Sequence, residues 1–474
     1  MITPGQSRPN LILAICCLSL LMVAMDATIV NVALPSIRLD LDASISGLQW
    51  VIDAYTMVVA SLLMLAGSMA DRFGRRRVFM FGMGLFVLGS LLCSVAPNIH
   101  GLIACRVLQA LGATMLNPVA MSIIANTFHE PKARSRAIGI WGAVAGVSMA
   151  LGPVIGGALT QSIGWRSIFW VNLPIGVGAM LLAARYIPES RAPRARRVDT
   201  VGQLLVLVIL TTITYGVIEG PRVGWNSPMT FGLFAAAALS LVALLVYEPR
   251  RHEPLIDVRF FRSVPFSSAT LIAVCSFSAF SGFLFLNALY LQEVRGLSAF
   301  QTGLCTLPLA VATIVCSPLS GRLVGTHGTR PSLLASGAAT TLSALMMTQL
   351  TEATPMSLLL MTYAVFGIGF GMVNAPITNT AVSGMPKAQA GVAAAVASTS
   401  RQVGAALGVA LAGTILGGHV HSGFAQAARP FWWLVSIGGI IVLSLAWLST
   451  TGWARDTTRF AAHLLEESPA GASA

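Results

Sequence analysis

The chain has 474 residues, of which 55% are hydrophobic and 10% charged, and its mean hydropathy is +0.78. No water-soluble fold of this size covers its surface with so few polar groups, so lipid is the solvent. The formal net charge of +12 would suit a nucleic-acid binder, but the basic residues border apolar runs at one face, where anionic headgroups meet them, and nucleic acid is excluded.

Fourteen apolar runs follow one another, at about 11–34, 47–70, 77–96, 101–126, 136–160, 166–186, 200–218, 229–247, 266–292, 300–323, 331–350, 356–380, 390–417 and 431–450. Crossing a hydrocarbon core roughly 30 Å thick takes about 20 residues as a helix, whereas β-barrel strands would be half as long and alternate in polarity. The expected architecture is an all-α polytopic membrane protein with short connectors and no soluble domain. The first run is too long and too weakly preceded by charge for a cleaved signal peptide, so it is expected to stay as a helix. Basic residues gather in alternate gaps, at Arg72, Arg75, Arg76 and Arg77, at Lys132, Arg134 and Arg136, at Arg185, Arg191, Arg194, Arg196 and Arg197, at Arg250, Arg251, Arg259 and Arg262, at Arg322 and Arg330, at Lys387, and at Arg455 and Arg459. The positive-inside rule puts these gaps, Arg8 and both termini in the cytoplasm of a cell whose inner (plasma) membrane the chain spans.

In chain order, the first span carries Asp26 and Asn31, the second Trp50, Asp53 and Tyr55, and the fourth Arg106 and Gln109. An ionised side chain costs several kcal/mol in hydrocarbon unless it is paired or faces water, so Asp26, Asp53 and Arg106 mark a pathway by default. At about 1.5 Å per residue both aspartates fall in the outer half of the bilayer and Arg106 toward the same side, which makes an Asp26–Arg106 interaction geometrically possible. A structural hydrogen bond is the plainer alternative for Asp26, and for Asp53, close to the headgroups, the two readings are balanced. Gln109 lies three residues from Arg106 and shares its helical face.

After span two the chain reads Gly67-Ser-Met-Ala-Asp71-Arg72-Phe-Gly74-Arg75-Arg76. Asp71 can accept hydrogen bonds from an arginine or a helix amino terminus and so form a breakable latch, while Gly67 and Gly74 favour a close helix approach and a tight turn. The plainer alternative is that the arginines only enforce topology. After span ten, Gly321, Leu323, Gly328 and Arg330 repeat the positions of Gly67, Met69, Gly74 and Arg76, with Gly325 in place of Asp71. Both copies lie on one side, which relates the two halves by an axis along the membrane normal, as in parallel-repeat carriers.

Span five carries Gly142, Gly146, Gly152, Pro153, Gly156 and Gly157. Small residues four apart let helix backbones touch, and proline removes a backbone hydrogen bond and can bend the helix, with ordinary packing as the alternative. Tyr290 and Gln292 at the end of span nine and Arg401 in span thirteen join Asn31, Trp50, Tyr55 and Gln109 as candidate polar or aromatic cavity residues. Glu219 and Glu293, at span ends, read as solvated. The seven cysteines all fall within spans without metal-ligand spacing and read as packing residues, and His419 and His421 read as a solvated loop. No metal, cofactor or catalytic residue is expected, so the chain is not an enzyme. The only lysines, Lys132 and Lys387, each follow proline, so no Walker loop exists, and work must come from an ion gradient or the solute's own gradient.

The Gly67–Arg76 stretch resembles the cytoplasmic loop signature of the major facilitator superfamily. Three further segments resemble its fourteen-span drug:proton antiporter branch: Asp26-Ala-Thr28-Ile-Val-Asn31 through Pro35, Arg106-Val-Leu-Gln109-Ala-Leu-Gly112, and Gly142 through Gly157. Trp165-Arg166-Ser-Ile-Phe169 with Asn172-Leu-Pro174, and Arg401-Gln402-Val-Gly404, look similar to that branch as well. The resemblance implies a major facilitator fold with 14 transmembrane helices: six-helix bundles at 1–190 and 263–452, two inserted helices within 191–262, and a cytoplasmic tail at 453–474. It also implies that span five acts as a hinge or seal of the kind associated with exchange.

The resulting expectation is a proton-coupled antiporter that exports lipophilic, cationic drugs or biocides by alternating access. Asp26 is its principal proton and cation site, Asp53 assists, and Arg106 tunes the pair. An alternative is a dedicated exporter of a single antibiotic or metabolite, because Gly220-Pro221-Arg222-Val-Gly224-Trp225 looks like sequences in methylenomycin-resistance members. A non-transporting membrane receptor is a third reading. The expected partners are protons, small compounds and the bilayer; a periplasmic adaptor leaves no mark in the sequence.

Overall fold

The computed structural model describes residues 8–191, 199–251, 254–386, 389–417 and 423–466. Expectations placed on Lys387, on Arg194, Arg196 and Arg197, on the His419–His421 pair and on the last residues of the tail lie outside them. The described residues contain helices and no strand. In chain order the helices are α1 Pro9–Asp40, α2 Ile45–Phe73, α3 Arg75–Ser94, α4 Ile99–Thr127, α5 Pro131–Ser162 and α6 Ser167–Tyr186. There follow α7 Thr200–Val223, α8 Pro228–Tyr247, α9 Val264–Val294, α10 Ala299–His327, α11 Thr329–Thr348, α12 Met356–Val382, α13 Ala390–Leu416, α14 Phe424–Leu448 and α15 Gly452–Glu466. Among the described residues, 12 helices are long and apolar enough to cross a membrane by length and composition, and α11 and α13 are not among them. The count of fourteen crossings is therefore finer than this criterion supports.

The helix boundaries follow local chemistry. Ser44, Asn98, Asp199, Ser227 and Ser263 each accept a hydrogen bond from a backbone amide in the first turn of the helix they precede, and Ser298 with Gln301 forms a capping box at the start of α10. Gly74 at φ +110° divides α2 from α3, and Gly328 at φ +79° divides α10 from α11, the two positions that the repeat aligns.

The same pairs of helices pack in each half. In the first, α1 packs on α5, α4 on α2 and α3, and α3 on α6; in the second, α9 packs on α13, α12 on α10 and α11, and α11 on α14. The halves meet where α2 packs on α13 and α5 on α10, with α1 against α9. Helix α7 lies beside this seam against α2 and α13, and α8 packs on α7.

Contacts across the seam gather at the end of the molecule that holds Asp40. There Arg38 pairs with Glu293 at 2.5 Å, Gln292 donates to the Val32 carbonyl at 2.8 Å, and Gln49 donates to the Ala410 carbonyl at 2.7 Å. Gly157 abuts Ala299, and Gly303 abuts Pro153, so closely that a Cβ on either would overlap backbone. Toward the opposite end, which holds Arg72, Gly139, Gly142 and Gly146 of α5 face open space, and so do Gly321 and Gly325 of α10. Among the described residues no side-chain hydrogen bond or ion pair joins the two halves there. The two bundles are sealed at the Asp40 end and part toward the Arg72 end.

Candidate functional site

Helices α1, α3, α4 and α6 bring five polar side chains to one point in the first bundle. Arg106 on α4 donates from Nη1 to Asp26 Oδ2 on α1 at 2.6 Å. Gln109, one turn along α4, donates from Nε2 to Asp26 Oδ1 at 2.9 Å and to Ser90 Oγ of α3 at 2.7 Å, and its own Oε1 accepts from Arg106 at 2.6 Å. Asn172 on α6 completes the group, donating to Asp26 Oδ1 at 3.0 Å and to Ser90 Oγ at 3.1 Å. Asp26, Ser90, Gln109 and Asn172 are 0% exposed and Arg106 1%. An ion pair so completely removed from water holds together only because each remaining lone pair and proton also finds a partner, and here most do. The rest of the guanidinium is held by α2: Nε donates to the Val51 carbonyl at 3.2 Å, and the Tyr55 ring lies 4.2 Å beneath the group.

Asp26, Arg106, Gln109 and Tyr55 thus come together, and Ser90 and Asn172 are the members that sequence reasoning missed. Asn172 had a signal in its polarity within an apolar run; Ser90 had none, since serine is common in membrane helices. Asp53 stands apart. It is 0% exposed, and neither carboxylate oxygen has a hydrogen-bond partner. Asn31 donates to the Ala27 carbonyl of its own helix.

Of the expected cavity residues, Trp50 and Gln292 belong to the seam or its edge, and Tyr290 is buried within the second bundle. Trp50 donates from Nε1 to Glu219 of α7 at 3.2 Å and packs on Tyr215. Tyr290 donates to the Thr351 carbonyl at 2.7 Å, and Gln292 crosses to α1. Glu219 and Glu293, expected to be solvated, are largely buried, because Trp50 with Arg222 and Arg38 respectively hold them. Arg401 lies in the second bundle, away from the Asp26 group, and donates to Thr378 Oγ1 of α12 at 2.5 Å.

At the Arg72 end, Asp71 accepts from Arg75 one turn on, at 2.8 Å. The amino terminus of α3 is taken by Glu189, whose carboxylate accepts from the amides of Arg76 at 3.1 Å and Arg77 at 3.3 Å and fills the space a side chain on Gly74 would need. The tight turn expected at Gly74 is present; Gly67, expected at a close approach, faces open space. Helix α5 is divided in the same sense. Gly152 and Gly156 pack on Thr28 and Ile29 of α1 and Gly157 on α10, whereas Gly142 and Gly146 touch nothing.

Comparison with known proteins gives the family and the fold. The family model of the Major Facilitator Superfamily matches residues 16–409. The multidrug resistance protein Stp of Mycobacterium tuberculosis is 39% identical over 399 residues, covering 84% of this chain and 74% of that one. The methylenomycin A resistance proteins of Streptomyces coelicolor and Bacillus subtilis are 36% and 33% identical, covering 83% and 92% of this chain and 83% and 93% of theirs. Among solved structures, a bacterial homologue of the human lysosomal transporter Spinster in an inward-facing and unoccupied conformation superposes with a TM-score of 0.64 at 16% identity, over 97% of this chain and 99% of that one. A peptide transporter in complex with sulfate gives a TM-score of 0.67 at 13% identity over 92% and 94%.

Proposed function

The chain belongs to the Major Facilitator Superfamily and is a multi-pass membrane transporter, not an enzyme, and from that premise we propose that it is a proton-coupled antiporter exporting lipophilic drugs or antibiotics. The superfamily relatives named for multidrug and methylenomycin A resistance support export as the direction and small compounds as the cargo. Fourteen crossings fit the packing, since α11 and α13 are integral to the second bundle although more polar than their neighbours. With the Asp40 end outside and both termini in the cytoplasm, the conformation is inward-open, with cargo entering between the bundles from the Arg72 end.

The observation that carries the coupling is the buried Asp26–Arg106 pair with its neutral partners Gln109, Asn172 and Ser90. A proton delivered to Asp26 cancels the attraction to Arg106 and leaves the guanidinium to seek other acceptors, so protonation rearranges the α1–α4 joint beside α5, which packs on α1 and meets α10 in the seal. Asp53, buried without a hydrogen-bond partner, is the second carboxylate proposed to carry a proton as the halves rock. One proton inward against one monovalent cation outward moves no net charge and uses about 1.4 kcal/mol per pH unit. A second proton adds about 2.3 kcal/mol per 100 mV. Because Asp26 already accepts from three side chains, its role in this conformation is coupling rather than holding a cationic drug.

The test is substrate-induced fluorescence recovery of a pH dye in inverted vesicles, screened over a compound library, with Asp26→Asn beside the natural chain. We expect Asp26→Asn to abolish drug-driven proton release and uphill export while leaving downhill drug movement. Uphill export by Asp26→Asn at the natural rate, or transport unchanged after the pH difference is collapsed, sinks the reading.

A further inference from the structure

The inserted pair begins and ends at the Arg72 end, where Asp199 precedes α7 and Glu248 follows α8. Asp199 caps α7, its Oδ1 accepting from the Gly202 amide at 2.9 Å and from the Tyr247 hydroxyl at 3.2 Å. Its buried Oδ2 has no partner. Glu248 is 1% exposed and Asp199 5%, and neither carboxylate oxygen of Glu248 meets a donor in hydrogen-bonding geometry, although the Leu255 and Ile256 amides lie beside it. Both side chains lean over the same glycine: a Cβ on Gly202 would stand 2.5 Å from Glu248 Oε1 and 3.0 Å from Asp199 Oδ2.

The surrounding groups do not neutralise this pair. Arg251 is exposed, its guanidinium carbon 5.5 Å from the Tyr247 ring centre, and Arg259 is taken by Asp257 at 2.7 Å. Asp257 itself adds a further negative group near Glu248. On the α2 side the neighbours are neutral, with Gln203 donating to the Ser61 carbonyl. Among the described residues no cation lies within ion-pair distance of Asp199 or Glu248. Two carboxylates that share a dry pocket cannot both stay ionised, because each loses its water and no counter-charge replaces it.

We propose that Asp199 and Glu248 form a proton-binding site that holds a single proton between them. With the proton in place, the carboxyl O–H of one donates to an unpartnered oxygen of the other and ties the foot of α7 to that of α8. When the proton leaves to water, two like charges face each other and the feet part, so the tie is present at low pH and lost as pH rises. Helix α7 can carry the change to the seam, because Trp50 of α2 donates to its Glu219 at 3.2 Å and Thr414 of α13 to its Val217 carbonyl at 2.8 Å. On the reading that the Arg72 end faces the cytoplasm, the inserted pair responds to the internal proton concentration, apart from the Asp26 group.

A proton count tests the site. The purified full chain in weakly buffered detergent is carried by base from about pH 6 to about pH 8.5, a range in which an ordinary carboxyl group, with a pKa of about 4, has nothing left to release. The natural chain should release one proton per chain more than Glu248→Gln. Asp199→Asn keeps the cap but removes the second charge, so it should move that release to lower pH, and it carries the comparison if Glu248→Gln does not yield a monodisperse protein. Equal release by the natural chain and Glu248→Gln, or a release that Asp199→Asn leaves in place, overturns the proposal. A release that varies with sodium or potassium at constant ionic strength also overturns it, by giving the pocket to a metal cation. Asp26→Asn should keep the extra proton, so a failure of coupling at Asp26 and a failure of this site are separately visible.

Discussion

The α1–α4 joint of the first bundle and the α9–α12 joint of the second occupy corresponding places in the repeat and are made of opposite materials. The first is held by a buried ion pair and its hydrogen-bonded neighbours. The second is held by rings: Phe283 stacks on Phe366 at 4.8 Å and meets Tyr363 edge-on at 5.0 Å, Phe280 stacks on Phe370, and Tyr363 hydrogen-bonds Asn287. Polar joints in low dielectric are sensitive to a single proton, whereas stacked rings are indifferent to pH and adjust by sliding. One helical frame thus carries a titratable half and an apolar half, which is the division of labour that coupled export needs.

The sharpest way to break the comparison is to remove the cation from the ionic joint. Arg106→Ala leaves Asp26 buried without its counter-charge, and the loss of one partner of a buried pair costs about 3–5 kcal/mol. The purified variant should unfold at markedly lower temperature, and low pH, which neutralises the orphaned carboxylate, should recover part of the loss. The aromatic joint offers no such recovery. A pH-independent defect in Arg106→Ala would mean that the pair is only a packing element.

The seam between the halves comes next. Within α5, a Cβ on Gly157 would collide with the Ala299 carbonyl, while one on Gly146 would meet nothing within 4 Å. Gly157→Ala should disfavour closure at the Asp40 end by about 1–3 kcal/mol, the usual cost of overpacking, and Gly146→Ala should leave it unchanged. Spin-label distances between the bundles at the Asp40 end would report both. Equal distance distributions in the two variants would remove the division of α5 into a sealing half and an open half.

The spans, the repeat and the core of the site were legible because charge in hydrocarbon is rare and costly, so Asp26 and Arg106 announced themselves. Gln109 followed from its spacing. Ser90 was hidden because serine is common in membrane helices, and Asn172, though polar within an apolar run, was not assigned to the site because its pairing depends on how α3 and α6 fold back. Glu189 was hidden for a related reason: it lies beyond α6 in sequence and reaches the start of α3 only in three dimensions. Trp50, Tyr290 and Gln292 were assigned to a cavity because position along a helix does not reveal which end of the molecule is closed. Fourteen crossings were expected from the sequence, whereas length and composition admit twelve among the described residues, because Arg401 interrupts α13 and small residues dilute α11.

A smaller effect tests the aromatic joint. Phe280→Leu keeps most of the buried volume and loses the stack on Phe370, worth about 0.5–1.5 kcal/mol. Its thermal midpoint should fall slightly and equally at all pH values, in contrast to Arg106→Ala, and a pH-dependent fall would show that the two joints are linked.

The smallest effect separates ion pairs by what they join. Arg38–Glu293 bridges the halves, with side chains 22% and 11% exposed, whereas Asp40–Arg166, at 2.5 Å, lies wholly within the first bundle. An exposed pair such as Asp40–Arg166 contributes about 0.2–1 kcal/mol and is weakened by salt, and the partly buried Arg38–Glu293 pair is screened less. Glu293→Gln should therefore shift the bundles modestly toward opening at the Asp40 end, and raised ionic strength should shift the natural chain in the same direction. Asp40→Asn should change neither the spin-label distances nor their salt dependence, because a bond inside one rigid half does not distinguish the open state from the closed one. A salt response that persists in Glu293→Gln would assign the sensitivity elsewhere on the seam and leave Gly157, Gly303 and Gln49 as its mechanical lock.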